Sequence, residues 1–397
     1  MPFVDLDIEV SDTEKAVRET AHRFAEEVMR PAGRLLDEMR PEEVIAGDSV
    51  FWDVQRQRKE LGLDDPSGGD TSLSPLEQTR LGYIVTEEMG WGDAGLAISF
   101  GVNGFPLNMA RASGNQALID MVKDNLTGCW GITEPSHGSD TLDFNGDAKA
   151  AEYARWDCIA VKDGDEFVLN GQKSAWVSNG IVAESAALFC GCDMGDGNVQ
   201  RAIFVVPLNL DGVSRGKPLN KIGQRALPQG EIFFDNVRFP AEYMAIPPQM
   251  YQPVAHNVLC GANAGMGTIF AGVAQSALDL ALAYTKERVQ GGVPIFQHQS
   301  VKDRLFKMFQ KVEAAKALNR RVLSYNAVNQ PLLEYCICTK VTSTNAAFEV
   351  ASEALGLFGG NGTSKEYPIE KIFRDARSSM IEDGSNELLG LLAAARF

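Results

Sequence analysis

Apolar residues recur at helical spacing through the first third of the chain. Ser11 and Glu14 form a capping-box pattern, and Val17, Ala21, Phe24 and Val28 follow on one face. Pro31 is expected to kink or end that helix. Stretches 51–63 and 74–89 read as further helices, the second capped by Ser74 with Pro75 at its first position. Gly90-Trp91-Gly92-Asp93 breaks the pattern, 94–105 is apolar, and 110–125 is helical again. The period changes at Thr127. Short apolar runs at 166–169, 186–190, 202–206 and 231–234 alternate with turn residues such as Asn170-Gly171 and Asp235-Asn236. Strands this short and regular predict an antiparallel barrel or sandwich. Helical stripes return over 261–288, 299–329, 332–358 and 381–396. Long striped helices with short loops predict a four-helix bundle. The pattern thus predicts a multidomain α+β chain: an N-terminal helical domain over 1–125, a middle β domain over 126–245 and a C-terminal bundle over 246–397. The polar, alanine-rich excursion at 141–157 fits none of these elements.

Composition narrows the function. At 397 residues the chain is too long for one core, and 45% hydrophobic with 23% charged residues is ordinary globular composition. A net charge of −16 argues against nucleic acid or anionic membrane as a partner, though not against an anionic small substrate met by a local basic patch. The start, MPFVDLDIEV, has neither the basic nor the apolar region of a signal peptide, and no apolar run approaches the roughly 20 residues of a membrane span. The seven cysteines are scattered and the four histidines are not placed to join them. No metal is expected, and buried thiols in a reducing cytoplasm are the natural reading.

Chemistry concentrates in Trp130-Gly131-Ile132-Thr133-Glu134-Pro135-Ser136-His137-Gly138-Ser139-Asp140. Trp130 and Ile132 share a strand face, and Pro135 stops the strand. Gly138 permits a tight turn that carries Ser136, Ser139 and Asp140. Such a turn is either an ordinary surface turn or a cradle of N–H groups and hydroxyls for an anion.

This stretch resembles the flavin-contact signature of the acyl-CoA dehydrogenases, x-T-E-P-x-x-G-S-D. Four more stretches resemble that family, in the family's order. They are Asn170-Gly171-Gln172-Lys173 with Trp176-Val177-Ser178-Asn179; Lys221-Ile222-Gly223-Gln224-Arg225 with 234–240; Arg288 to Gln299; and Glu366-Tyr367-Pro368, Arg374-Asp375-Ala376 and Glu382-Asp383-Gly384-Ser385. The likeness spans nearly the whole chain.

The resemblance implies an FAD-dependent enzyme that forms an α,β double bond in an acyl-CoA and passes electrons to an electron-transfer flavoprotein. It also implies a homo-oligomer, a tetramer in most relatives. Trp130, Ile132 and Thr133 would lie along the isoalloxazine, and Ser139 would reach the pyrophosphate. Trp176 would cover the dimethylbenzene side, with Ser178 near N5. Arg288 and Gln299, with Gly359 and Gly360, would hold the ADP half of FAD in a partner subunit. Ser385 and Glu387 would sit near the adenosine.

Several positions depart from the family pattern. The segment from Gly171 to Trp176 is one residue longer, which a β-bulge would absorb. Gly291 replaces an aromatic residue, Gly356 a glutamine, and Asn263 an arginine on the substrate-binding helix. The base is Asp383 where most members have glutamate. Ala262 occupies the alternative base position, and Glu382 falls to the substrate-pocket wall, where it would oppose a long apolar tail. Compact, branched or cyclic acyl groups are therefore expected. Two other readings remain open at this point. One is different net chemistry in the same fold, such as 1,4-dehydrogenation of a cyclic acyl-CoA with Asp93 as second carboxylate. The other is a catalytically weak flavin-binding protein.

Overall fold

The computed structural model describes residues 10–143, 146 and 156–397. Stretch 1–9 and most of the 141–157 excursion lie outside the described residues. Helices α1 (Asp12–Phe24), α2 (Arg30–Glu38), α3 (Pro41–Val44), α4 (Val50–Glu60), α5 (Pro75–Gly92), α6 (Ala94–Asn103), α7 (Phe105–Ser113) and α8 (Gln116–Val122) come first. Both α1 and α5 open on reciprocal capping boxes: Ser11 with Glu14, Ser74 with Glu77. Pro31 does not end the first helix. It falls in the first turn of α2, and a π-helical turn at Ala25–Met29 carries the path into it without a break.

Strands β1 (Gly128–Gly131), β2 (Ile159–Asp163), β3 (Glu166–Lys173), β4 (Ser185–Asp193), β5 (Val199–Pro207), β6 (Val213–Arg215), β7 (Ile232–Pro240) and β8 (Met244–Ile246) form one eight-stranded sheet. Its order is β6-β7-β3-β2-β4-β5-β8, with β1 also beside β4. This sheet is mixed, not antiparallel as expected. β1 runs parallel to the first half of β4, from Gly128↔Ser185 to Gly131↔Leu188, and β2 runs parallel to its second half. The long connection from β1 to β2 makes this possible, because parallel neighbours cannot be joined by a hairpin. The β3–β7 register shifts between Leu169 and Gly171, a bulge on the strand that leads to Trp176.

The bundle consists of α9 (Pro248–Glu287), α10 (Gln299–Asn326), α11 (Leu333–Phe358), α12 (Ile369–Ser378) and α13 (Asn386–Ala394). α9 begins well before residue 261, and what pattern suggested as one helix from 381 is a turn followed by α13. By length and composition α9 could cross a membrane, but most of it is buried against α5 and α11. α5 and α9 meet backbone to backbone: a Cβ on Gly90 would strike the Ile269 carbonyl, and one on Gly272 the Glu87 carbonyl. Between α9 and α10, β9 (Val289–Gln290) and β10 (Val293–Pro294) form a hairpin. Its turn, Gly291-Gly292, has φ of +69° and +84°, which explains why an aromatic residue is absent at 291.

Candidate active site

A cavity of about 700 Å³ opens where the sheet, α6 and the α12–α13 turn converge. Trp130, Ile132, Thr133 and Ser139 from one segment and Trp176 and Ser178 from another line it, together with Glu382 and Asp383. A buried ion pair locks the two wall segments together. Lys173 Nζ lies 2.6 Å from Glu134 Oε1, both side chains fully enclosed, and also donates to the carbonyls of Ile132 and Phe189. The Ser174 N–H donates to the Thr133 carbonyl at 2.9 Å. Glu134 and Lys173 therefore serve as a clamp rather than as part of the lining. Trp130 is buried and stacks on Phe105 at 4.9 Å, with its indole Nε1 lacking an acceptor. Trp176 is the opposite case, 61% exposed on the cavity wall. Ser178 accepts from Gln229 Nε2 at 3.2 Å.

The turn 380–386 carries the two carboxylates. Asp383 has φ of +52°, a left-handed conformation uncommon for a residue other than glycine, and Gly384 follows at +97°. The loop is tied down on three sides. Ser385 N–H donates to Ser139 Oγ at 3.0 Å, joining the first wall segment to this turn. Lys340 of α11, fully buried, donates to the Gly384 carbonyl and to Asn386 Oδ1, each at 2.8 Å. Ser385 then caps α13, its side chain accepting from the Leu388 N–H. The Asp383 N–H finds no acceptor among the described residues.

Burial pushes the Asp383 carboxyl up to about 6, opposed by the Lys340 ammonium. It pushes Glu382 up to about 7, against a hydrogen bond from Gln224 and with Asp383 adding to the rise. Lys340 is lowered to about 8 by burial, opposed by Asp383 and Glu382. Lys221, also on the cavity wall, is lowered to about 8 by burial.

Lys340 carries a signal that sequence reading passed over. It stands on the buried stripe of α11 with Leu333, Cys336, Ile337 and Thr344, a lone ammonium where the pattern calls for an apolar or small residue. Lys221 and Gln224 were visible only as part of a motif, not as cavity walls.

Other candidates lie elsewhere. Asn263 does not reach the cavity. It is fully buried in α9, and its short amide donates back to the Leu259 carbonyl at 3.0 Å, where an arginine would extend further. Asp93 also lies outside it. Its carboxylate caps α6 through the Leu96 N–H and pairs with Lys371 at 2.5 Å, so it is not a second carboxylate at this site. Arg288, Gln299, Gly359 and Gly360 are exposed and do not line the cavity. Arg288 and the two glycines share one end of the bundle, where Tyr284 stacks on Phe358 at 3.9 Å. Gly356 leaves room for Arg304, which pairs with Glu353 at 2.8 Å. Glu387 is exposed in the first turn of α13, where the helix dipole favours an acid.

A helical domain, a mixed sheet and a helical bundle converge on a cavity with two half-buried carboxyls, Glu382 and Asp383, and the comparisons name the class that shares this arrangement. The model for the acyl-CoA dehydrogenase middle domain matches residues 129–237, and that for the C-terminal domain matches 254–397. A mitochondrial short-chain specific acyl-CoA dehydrogenase of Rattus norvegicus is 28% identical over 98% of this chain and 90% of its own. The solved butyryl-CoA dehydrogenase of Megasphaera elsdenii superposes with a TM-score of 0.85 at 26% identity, covering 98% of this chain and 99% of that one. A glutaryl-CoA dehydrogenase of Mycobacterium smegmatis in complex with FADH2 shares the fold at TM-score 0.84 and 21% identity, covering 99% of this chain and 96% of that one. The chain belongs to the acyl-CoA dehydrogenase family, whose members are oxidoreductases.

Proposed function

We propose that the cavity takes FAD together with an acyl-CoA thioester, and that Asp383 removes the substrate α-proton. The observation that carries this is Asp383 itself, a non-glycine residue at φ +52° that lines the cavity. The walls suit a flat, polar-edged ring. Trp176 offers an exposed indole, Thr133 and Ser178 offer hydroxyls, and Trp130 Nε1 is a buried donor without an acceptor. When bound, FAD supplies the acceptor for the β-hydride. Ser139 accepts from Ser385 and keeps its own proton free to donate toward a phosphate.

The chain's own part is positional and electrostatic. Lys340, Ser139 and Ser385 fix the turn so that the Asp383 carboxylate has one place to stand. The unpartnered Asp383 N–H is the donor for the thioester oxygen, where negative charge grows as the proton leaves. Aspartate is one methylene shorter than glutamate, and a misplacement of about 1 Å can cost about a hundredfold in rate.

Exposed Arg288, Gln299, Gly359 and Gly360 support a homo-oligomer, a tetramer by family likeness, in which they serve a neighbour's FAD. An electron-transfer flavoprotein is the proposed acceptor, and free cysteines, nearly all buried, suit a cytoplasmic home. The test is anaerobic flavin bleaching by a panel of acyl-CoAs. Bleaching by a compact or cyclic thioester, faster than by palmitoyl-CoA, is the expected result. No bleaching by any thioester refutes the proposal.

A further inference from the structure

We propose that the acyl group selected by this site carries a hydroxyl a few carbons from the thioester, received by Glu382 and Lys221, with Gln224 holding Glu382 in place. The inference rests on the reading of Asp383 as base. All three side chains line the cavity. Gln224 is 2% exposed with φ of +50°, and its conformation is fixed from both sides. Its N–H donates to Asp375 Oδ1, and its Nε2 donates to the Asp375 carbonyl at 3.1 Å and to Glu382 Oε1. That leaves Glu382 Oε2 without a partner among the described residues. Lys221 Nζ donates to the Leu227 carbonyl and to Gln229 Oε1, each at 2.8 Å, which leaves its third N–H free. The wall therefore offers one spare acceptor and one spare donor, both preset.

That pairing decides the chemistry. A carboxylate on the acyl group would face Glu382, and an ammonium would face Lys221. An unadorned alkyl tail would strip water from both and return nothing. A hydroxyl donates to the carboxylate and accepts from the ammonium. Position follows from the chain: Glu382 and Asp383 are neighbours, about 3.8 Å apart at Cα. What Glu382 meets lies a few carbons from the carbon that faces Asp383. Neither α5 nor α9 contributes to the cavity lining, and the two helices meet backbone to backbone at Gly90 and Gly272.

The test uses the FAD-loaded enzyme and matched thioesters: butyryl-CoA against 4-hydroxybutyryl-CoA, and cyclohexanecarboxyl-CoA against its 4-hydroxy derivative. Flavin reduction is followed anaerobically. The hydroxylated member of at least one pair should show kcat/KM about tenfold to a hundredfold higher, the range expected when a buried polar group is left unpaired. Glu382→Leu should abolish that preference, and Glu382→Gln, whose single oxygen is taken by Gln224 Nε2, should narrow it. Lys221→Met provides a second variant should Glu382→Leu fail to fold, and it should also narrow the ratio. Equal or faster reduction by both unsubstituted thioesters overturns the inference and leaves the dehydrogenase reading standing. A preference that survives both Glu382→Leu and Lys221→Met overturns the assignment of these residues. Reduction by none of the four overturns both.

Discussion

Lys340 Nζ lies 2.8 Å from the carbonyl oxygen of Gly384, the residue that follows the proposed base. A buried ammonium thus grips the backbone of the turn and at the same time acts on the Asp383 carboxyl. It opposes the rise that burial imposes, which leaves the carboxyl at about 6. Asp383 must be ionised to accept a proton, so kcat/KM should fall as pH drops through about 6. Lys340→Met removes the opposing charge, and the acid limb of the profile should move to higher pH. An unmoved limb would mean that Lys340 acts on position alone.

Asp383→Asn keeps the backbone donor and removes the base. Rates of flavin reduction should drop by about a thousandfold or more, in line with loss of a general base, while FAD and thioester still bind. Glu382→Gln should cost much less. The reverse ranking, measured by stopped-flow reduction, would move the base one residue upstream.

Purified protein should be yellow, with about one FAD per chain, since Trp130 to Ser139 and Trp176 to Ser178 frame one cavity. Absorbance after reconstitution checks this. A colourless protein that takes up no FAD would contradict the cofactor assignment.

Arg288→Ala should weaken FAD retention more than substrate affinity, because exposed Arg288 is proposed to serve a neighbour's FAD and does not line the cavity. Light scattering should report a tetramer, or at least a dimer. A flavin-loaded monomer would remove the role proposed for this end of the bundle.

Two glycines of α9 should respond to alanine with opposite signs. Gly261 has open space around it, and Gly261→Ala should gain up to about 1 kcal/mol from helix propensity. Gly272 abuts the Glu87 carbonyl, so Gly272→Ala should lose about 2–3 kcal/mol through overpacking. Denaturant titration of both variants measures the difference.

The capping box at Ser11 and the Ser74-Pro75 cap made the start of α1 and α5 legible because such signals are local, a few neighbouring residues satisfying one helix end. The parallel pairing of β1 with β4 was not legible. Only four residues form β1, and its partner lies beyond a long connection whose path no local period encodes. Within the site, Trp130 to Ser139 could be read because glycine, proline and hydroxyls mark a turn. Lys221 and Lys340 could not, since what matters about each is which carbonyl its ammonium reaches in three dimensions. Asn263 shows the converse: a position named by likeness turns back into its own helix once the side chain is shortened.

The bond from Gln224 to Glu382 is the last in a longer chain. Gln224 is held by Asp375, which pairs with Lys371, which pairs in turn with Asp93 of the helical domain. Alongside, Arg374 forks onto Asp37 at 2.7 and 3.0 Å. The substrate wall is therefore anchored in the first hundred residues, although none of its carboxylates comes from them. Such a protein is not modular. A fragment lacking the first domain would take one of two counter-ions from each of Lys371 and Arg374, leaving them only Asp375 and Glu370 of α12, and would loosen the wall. Recombining this sheet and bundle with a foreign helical domain would succeed only if the newcomer also brought an Asp37 and an Asp93.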